Sequence, residues 1–151
     1  MSKINQISTY LKKHNIDAAF ITTPDNVFYV SGFRSNPHER LLGVLILQDA
    51  EPLMILPQME VPDAKNAGWN FDVVGHQDTD QPWQLLKQAI ENKKITPSQI
   101  AIEKSHMTVE RLEAIQELYP DVTFTRLDDQ LNSMRVVKDA NELAILREAA
   151  A

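Results

Sequence analysis

The sequence has no cysteine among its 151 residues, so it can form neither a disulfide framework nor a thiol nucleophile. This absence fits a reducing compartment. Glycine is also scarce, because the chain has four glycines, which are isolated and form no phosphate-binding pattern. No serine lies in a nucleophile-elbow motif. The sequence therefore lacks the motifs of three common kinds of active site.

A clustered basic surface is missing as well. The chain carries 15 lysine and arginine residues against 21 aspartate and glutamate residues, and the basic residues are scattered. Proteins that bind nucleic acid normally concentrate basic residues on one face, so we expect no nucleic-acid partner. Residues 1–10 are polar and lack the apolar centre of a signal peptide. The longest apolar run, 41–47, is far too short to span a bilayer. We expect a cytoplasmic protein with no membrane partner.

The remaining composition is that of one globular domain with 43% apolar residues. Helical and extended patterns alternate, and two apolar runs joined by a short link predict an antiparallel hairpin. We therefore predict an α/β fold with a mixed β-sheet flanked by helices. The predicted strands are 18–21, 41–47, 53–56, 71–74, 100–102 and 122–124. Four of the predicted helices have recognisable positions. The first is capped by Ser2, the second covers 59–67, the third begins at Pro82 and the fourth is capped by Thr108. The strand order cannot be read from the sequence.

Residues 76–80 form the best candidate for a metal site, with one imidazole, His76, and two carboxylates, Asp78 and Asp80. The segment follows a predicted strand and precedes the helix that opens at Pro82. Carboxylates in such a position are well explained as turn and helix-cap residues. We therefore predict no metal ligand and no catalytic residue in this chain.

Residues 34–40 form a second candidate, a polar loop that contains Arg34, His38, Glu39 and Arg40. Arginine can bind a peptide carboxylate through two hydrogen bonds, and histidine can titrate near neutral pH. Loops are normally polar, however, so the residues alone favour a solvated connection.

The last residues of the sequence predict the start of another domain. Asp139 and Glu142 are spaced as in a capping box, and strong helix formers follow to the last residue without a stop signal. We expect a further domain downstream. The alternative is a natural C-terminal helix that frays.

Residues 26–33, Asn-Val-Phe-Tyr-Val-Ser-Gly-Phe, resemble an early signature of the creatinase, prolidase and aminopeptidase P family. Residues 134–149 resemble the junction into the catalytic domain, where Arg135 and Lys138 precede a helix that contains Glu142 and ends in Arg147-Glu148-Ala149. Asp139 stands where serine is more usual, and either residue caps a helix. Within the family, the chain is most similar to a bacterial Xaa-Pro dipeptidase.

The resemblance implies a ribonuclease H-like N-terminal domain of the creatinase/prolidase type over residues 1–133. Residues 134–151 would then be the junction and the start of a C-terminal pita-bread catalytic domain. That missing domain would bind two divalent metal ions (Mn, Co or Zn) and hydrolyse Xaa-Pro bonds, as a dipeptidase or an aminopeptidase. The fragment itself would hold no cofactor and would be inactive.

The resemblance also implies three partners: the chain's own catalytic domain, a homodimer partner and short proline-containing peptides. In the dimer this domain would wall the partner subunit's active site, which places His38, Glu39 and Arg40 near the substrate. Glu39 would attract the peptide amine, Arg40 its carboxylate, and His38 would respond to pH. Two alternatives remain: a non-catalytic family member that binds peptides or proteins, and a stand-alone α/β ligand-binding module.

Overall fold

The computed structural model describes residues 2–36 and 40–135. The predicted junction helix, the family motif beyond Arg135, and His38 and Glu39 lie outside these residues. The helices are α1 (Lys3–His14), α2 (Pro24–Ser31), α3 (Val61–Asn66), α4 (Pro82–Asn92) and α5 (Val109–Leu118). A short 3-10 helix covers Gln58–Glu60, and residues 128–135 are helical. The strands are β1 (Ala18–Ile21), β2 (Gly43–Leu47), β3 (Leu53–Pro57), β4 (Asp72–His76), β5 (Gln99–Ile102) and β6 (Thr123–Arg126).

One six-stranded sheet joins all of these strands in the order β4-β3-β2-β1-β5-β6. Strand β2 runs antiparallel to β1 and β3, and the other neighbouring pairs are parallel. The predicted mixed sheet and the β2–β3 hairpin are therefore confirmed. Because β2 alone is reversed, the carboxyl ends of the other five strands meet at one edge of the sheet.

Helices cover both faces of the sheet, so the strands β1, β2 and β3 are buried on two sides, whereas the edge strands β4 and β6 are partly exposed. Alternate residues of β1 show this arrangement, since Ala19 and Ile21 belong to one apolar core and Ala18 and Phe20 to the other. The first core also contains residues of α1, α2, α3 and 128–135, and the second contains residues of α4 and α5. No helix in the described part of the chain is long and apolar enough to cross a bilayer.

Local signals set the helix ends. The Asn5 and Arg111 backbone N–H groups donate to the capping hydroxyls of Ser2 and Thr108, as those two positions predicted. The aromatic residues after Pro24 form helix α2, which ends at Gly32 in the left-handed conformation, with φ of 80°. Strand β4 extends to His76, beyond the predicted end at residue 74.

Candidate functional site

A cleft of about 690 Å³ opens at the carboxyl edge of the sheet. Its walls include the end of β1, the approach to β2, the residues after β4, and the first turns of α4 and α5. Clefts at this edge of an open α/β sheet are the usual ligand sites of such folds, because helix N-termini and loops converge there. The cleft is therefore the candidate functional site of this domain.

Arg40 lies at the rim of the cleft. Of the three loop residues that were predicted to lie near a substrate, Arg40 alone falls within the described residues. Its Nη2 is 3.4 Å from the Asp78 carboxylate, and both side chains are well exposed. The loop is anchored at its first two residues, since Arg34 pairs with Asp25 at 2.6 Å and Ser35 donates to Glu60 at 2.5 Å. The Arg40 guanidinium is thus held by an exposed ion pair, which contributes little stability, and by a 3.7 Å contact of its Nη1 with the Met59 sulfur.

His76 and Asp80 each have a structural partner, which agrees with the prediction of a turn at 76–80. The prediction of a helix cap there is wrong, because the N-cap of α4 is Gln81, which makes no side-chain capping hydrogen bond. His76 is buried at the end of β4, and its Nε2–H donates to the Leu41 carbonyl at 2.7 Å, because a carbonyl oxygen can only accept. The Gln77 backbone N–H donates to the Asp80 carboxylate at 2.8 Å. Among residues 2–36 and 40–135, no three histidine, aspartate or glutamate side chains cluster closely enough to hold a metal ion.

Glu103 is a buried carboxylate that sequence reasoning missed. It follows β5, is 1% exposed, and accepts hydrogen bonds from the backbone N–H groups of Thr22 at 2.5 Å and Thr23 at 2.9 Å. Asn26, the first residue of the family signature, donates its Nδ2–H to the other Glu103 oxygen at 2.5 Å. Glu103 therefore fixes the start of α2 beside the cleft. The available signal was a lone carboxylate directly after an apolar strand.

Asp128 fixes the two residues that follow Glu103 in the chain. The Lys104 backbone N–H donates to its carboxylate at 2.8 Å, and Ser105 donates through both its N–H and its hydroxyl. Burial raises the pKa of Asp128, but these hydrogen bonds together outweigh burial, so its pKa lies below the ordinary value. The turn that leads from β5 to α5 is therefore held by an ionised carboxylate.

Comparison with known proteins finds a family model that matches most of the chain. The family model of the Creatinase/Prolidase N-terminal domain matches residues 3–137. A Bacillus subtilis protein named "Putative dipeptidase YkvY" is 39% identical over 150 residues, which are 99% of this chain and 41% of that protein. The chain therefore spans about two-fifths of the length of this curated relative.

Solved structures of dipeptidases are also similar to this chain. A proline dipeptidase structure from Streptococcus pneumoniae superposes with a TM-score of 0.86 and 32% identity, covering 91% of this chain and 99% of that one. The N-terminal domain of Xaa-Pro dipeptidase from Lactobacillus brevis superposes with a TM-score of 0.84 and 28% identity, covering 87% of this chain and 99% of that one. The predicted family and fold type are thereby confirmed.

Proposed function

The chain belongs to the creatinase/prolidase N-terminal domain family, and from this premise we propose that it is the non-catalytic N-terminal domain of a cytoplasmic Xaa-Pro peptidase. The observation that carries the proposal is the match, over nearly the whole chain, to a solved domain that is titled the N-terminal domain of Xaa-Pro dipeptidase. We assign residues 1–133 to this domain and 134–151 to the junction and first helix of a catalytic domain.

Hydrolysis would belong to that downstream domain. The two divalent metal ions expected for the family do not fit the described residues here, because His76, Asp80, Glu103 and Asp128 are each committed to backbone or side-chain hydrogen bonds. Carboxylates with such donors are poor metal ligands unless a converging set surrounds them. No step of the reaction is therefore assigned to this chain.

The role that we propose for this chain is to pair subunits and to restrict the partner subunit's active site to short proline-containing peptides. The loop at 34–40 is the element that we assign to this contact, with His38, Glu39 and Arg40 near the substrate. Support comes from Arg40, whose guanidinium lies exposed at the cleft rim and is held by a loose ion pair with Asp78 and a 3.7 Å contact with the Met59 sulfur. A guanidinium held this weakly is free to bind a peptide carboxylate instead.

Replacing Arg40 with alanine in the intact protein tests this role. A charged contact at a site shielded from water contributes about 1.5–3 kcal/mol, so kcat/KM for an Xaa-Pro dipeptide should fall by about one to two orders of magnitude at constant metal content. Arg34→Ala is the matched control, because Arg34 belongs to the same loop but is paired with Asp25 and does not line the cleft.

Two results would contradict the proposed contact. The first is that Arg40→Ala and His38→Ala both leave kcat/KM within about twofold of the parent, a change well under 1 kcal/mol. The second is an intact protein that sediments only as a monomer, because the loop could not then reach a partner subunit.

A further inference from the structure

Thr22 presents an unexplained buried hydroxyl at the cleft. The residue is 2% exposed and lines the cleft, and its Oγ1 has no hydrogen-bond partner among the described residues. The Thr22 backbone N–H already donates a hydrogen bond to Glu103, so the side-chain hydroxyl is the group that could bind a ligand. A buried hydroxyl without a partner lowers stability, and native proteins keep few of them.

The direction of this side chain follows from the strand. Side chains alternate along β1, and Ala18 and Phe20 face the core that contains α4 and α5. Thr22 continues that series. It therefore faces the side where Trp83 of α4 and Arg111 of α5 line the cleft.

Arg111 is a half-buried guanidinium in the first turn of α5, and it lines the same cleft. Within the described part of the chain no carboxylate forms an ion pair with it. Burial lowers the pKa of Arg111, and the nearby Glu110 partly opposes this effect. A partly desolvated cation without an ion pair is suited to binding an anionic ligand.

The N-terminus of helix α5 adds an electrostatic field that favours an anion in this part of the cleft. The first backbone N–H groups of a helix lack partners within the helix and carry partial positive charge, so anions bind well at helix N-termini. Thr108, which caps α5, and Arg111, in the first turn of α5, both line the cleft, as does Pro82 at the start of α4. Two helix N-termini, the Arg111 guanidinium and one unpartnered hydroxyl thus border a single cavity, with Arg40 at its rim.

We propose that this cleft contains a carboxylate-binding subsite formed by the Arg111 guanidinium, the first turn of α5 and the Thr22 hydroxyl. Its ligand class is a small molecule with one carboxylate, such as an amino acid or a short peptide with a free carboxyl terminus. This inference goes beyond the proposed function, because it assigns ligand binding to this chain itself and does not depend on hydrolysis by another domain.

The acidic residues of the cleft select against more highly charged anions. Asp78, Asp80 and Glu110 also line it. Asp78 is paired with Arg40, so the negative charges of Asp80 and Glu110 would repel a phosphate dianion or a nucleotide more strongly than a single carboxylate. They would also favour a ligand that carries an amino group beside its carboxylate.

Backbone amide spectra of the ¹⁵N-labelled 151-residue chain test the subsite directly. The two probes are N-acetylglycine and N-acetylglycine amide, which differ only in the carboxylate. We expect saturable shifts at Thr22 and at residues 108–112 with the acid, and none with the amide. Inorganic phosphate should bind there more weakly than the acid. Equal shifts with both probes, no shifts with either, or tighter binding of phosphate would overturn the proposal.

Two variants separate the subsite from general effects on the fold. Arg111→Gln should weaken binding of the acid by about tenfold or more, because it removes a charge-assisted hydrogen bond. Thr22→Val should weaken binding without lowering the melting temperature, since it removes a hydroxyl that has no partner in the free protein. Arg126→Gln is the control and should bind like the parent, because Arg126 does not line the cleft. Parent-like binding by both Arg111→Gln and Thr22→Val would overturn the assignment.

Discussion

Glu103 connects parts of the chain that no local pattern could link. Its carboxylate receives hydrogen bonds from Thr22 and Asn26, which are 81 and 77 residues away in sequence. The caps at Ser2 and Thr108 were predictable because each bonds an N–H group three residues ahead. At the scale of single residues, the sequence therefore reveals short-range polar contacts. The long-range contacts that position the family signature become visible only in the fold.

Glu103→Ala should be strongly destabilising. It leaves three buried or partly buried donors without their acceptor, and we expect the free energy of unfolding to fall by about 3 kcal/mol or more. Glu103→Gln should cost less. Its amide can still accept from the backbone, and Asn26 can rotate to offer Oδ1, which is buried and has no partner in the described structure.

Urea denaturation of the two variants, beside the exposed control Glu113→Ala, measures these differences. The control should change the free energy of unfolding by no more than about 0.5 kcal/mol. If Glu103→Ala unfolds at the same urea concentration as the control, the carboxylate does not fix the start of α2.

At the scale of elements, the apolar patterns were sufficient to find every strand. All six predicted strands exist, because buried strands need apolar runs that the sequence shows directly. Helix α2 was not assigned, since its aromatic residues also suit a strand. Strand order was not predictable either, because it depends on pairing between distant segments such as β1 and β5.

The start of β2 depends on the absence of a side chain at Gly43. A Cβ there would lie 2.5 Å from Cε1 and 2.8 Å from Cζ of Phe20, a fully buried ring that packs edge-on against Trp83. Gly43→Ala must therefore displace a core ring. We expect it to lower the free energy of unfolding by about 1–3 kcal/mol, as overpacked cores do.

Gly75→Ala is the matched comparison, also within a strand. Its Cβ would meet the amide end of Gln58, an exposed side chain that can turn away, so we expect a smaller loss than for Gly43→Ala. Thermal unfolding of the two variants provides the measurement. Equal melting temperatures would mean that the Phe20 ring shifts without cost.

At the scale of the whole molecule, the family and its fold were predictable from two short segments, 26–33 and the junction motif, and the comparisons confirm both. The polar loop at 34–40 was singled out from its residues, and Arg40 lies at the cleft, but the role of the loop near a substrate stays a prediction. The cleft itself was not predictable. It is formed by residues from β1, β4, α4 and α5 that only the folded sheet edge brings together.

Turnover is the property that separates this domain from a complete peptidase. Purified 151-residue chain and the intact protein would be assayed with Mn²⁺ on an Xaa-Pro dipeptide and on the same dipeptide without proline. We expect the intact protein to cleave only the proline substrate and the 151-residue chain to cleave neither. Turnover by the chain alone would contradict its assignment as a non-catalytic domain. Peptide binding without turnover by the intact protein would contradict the assignment of the parent as a peptidase.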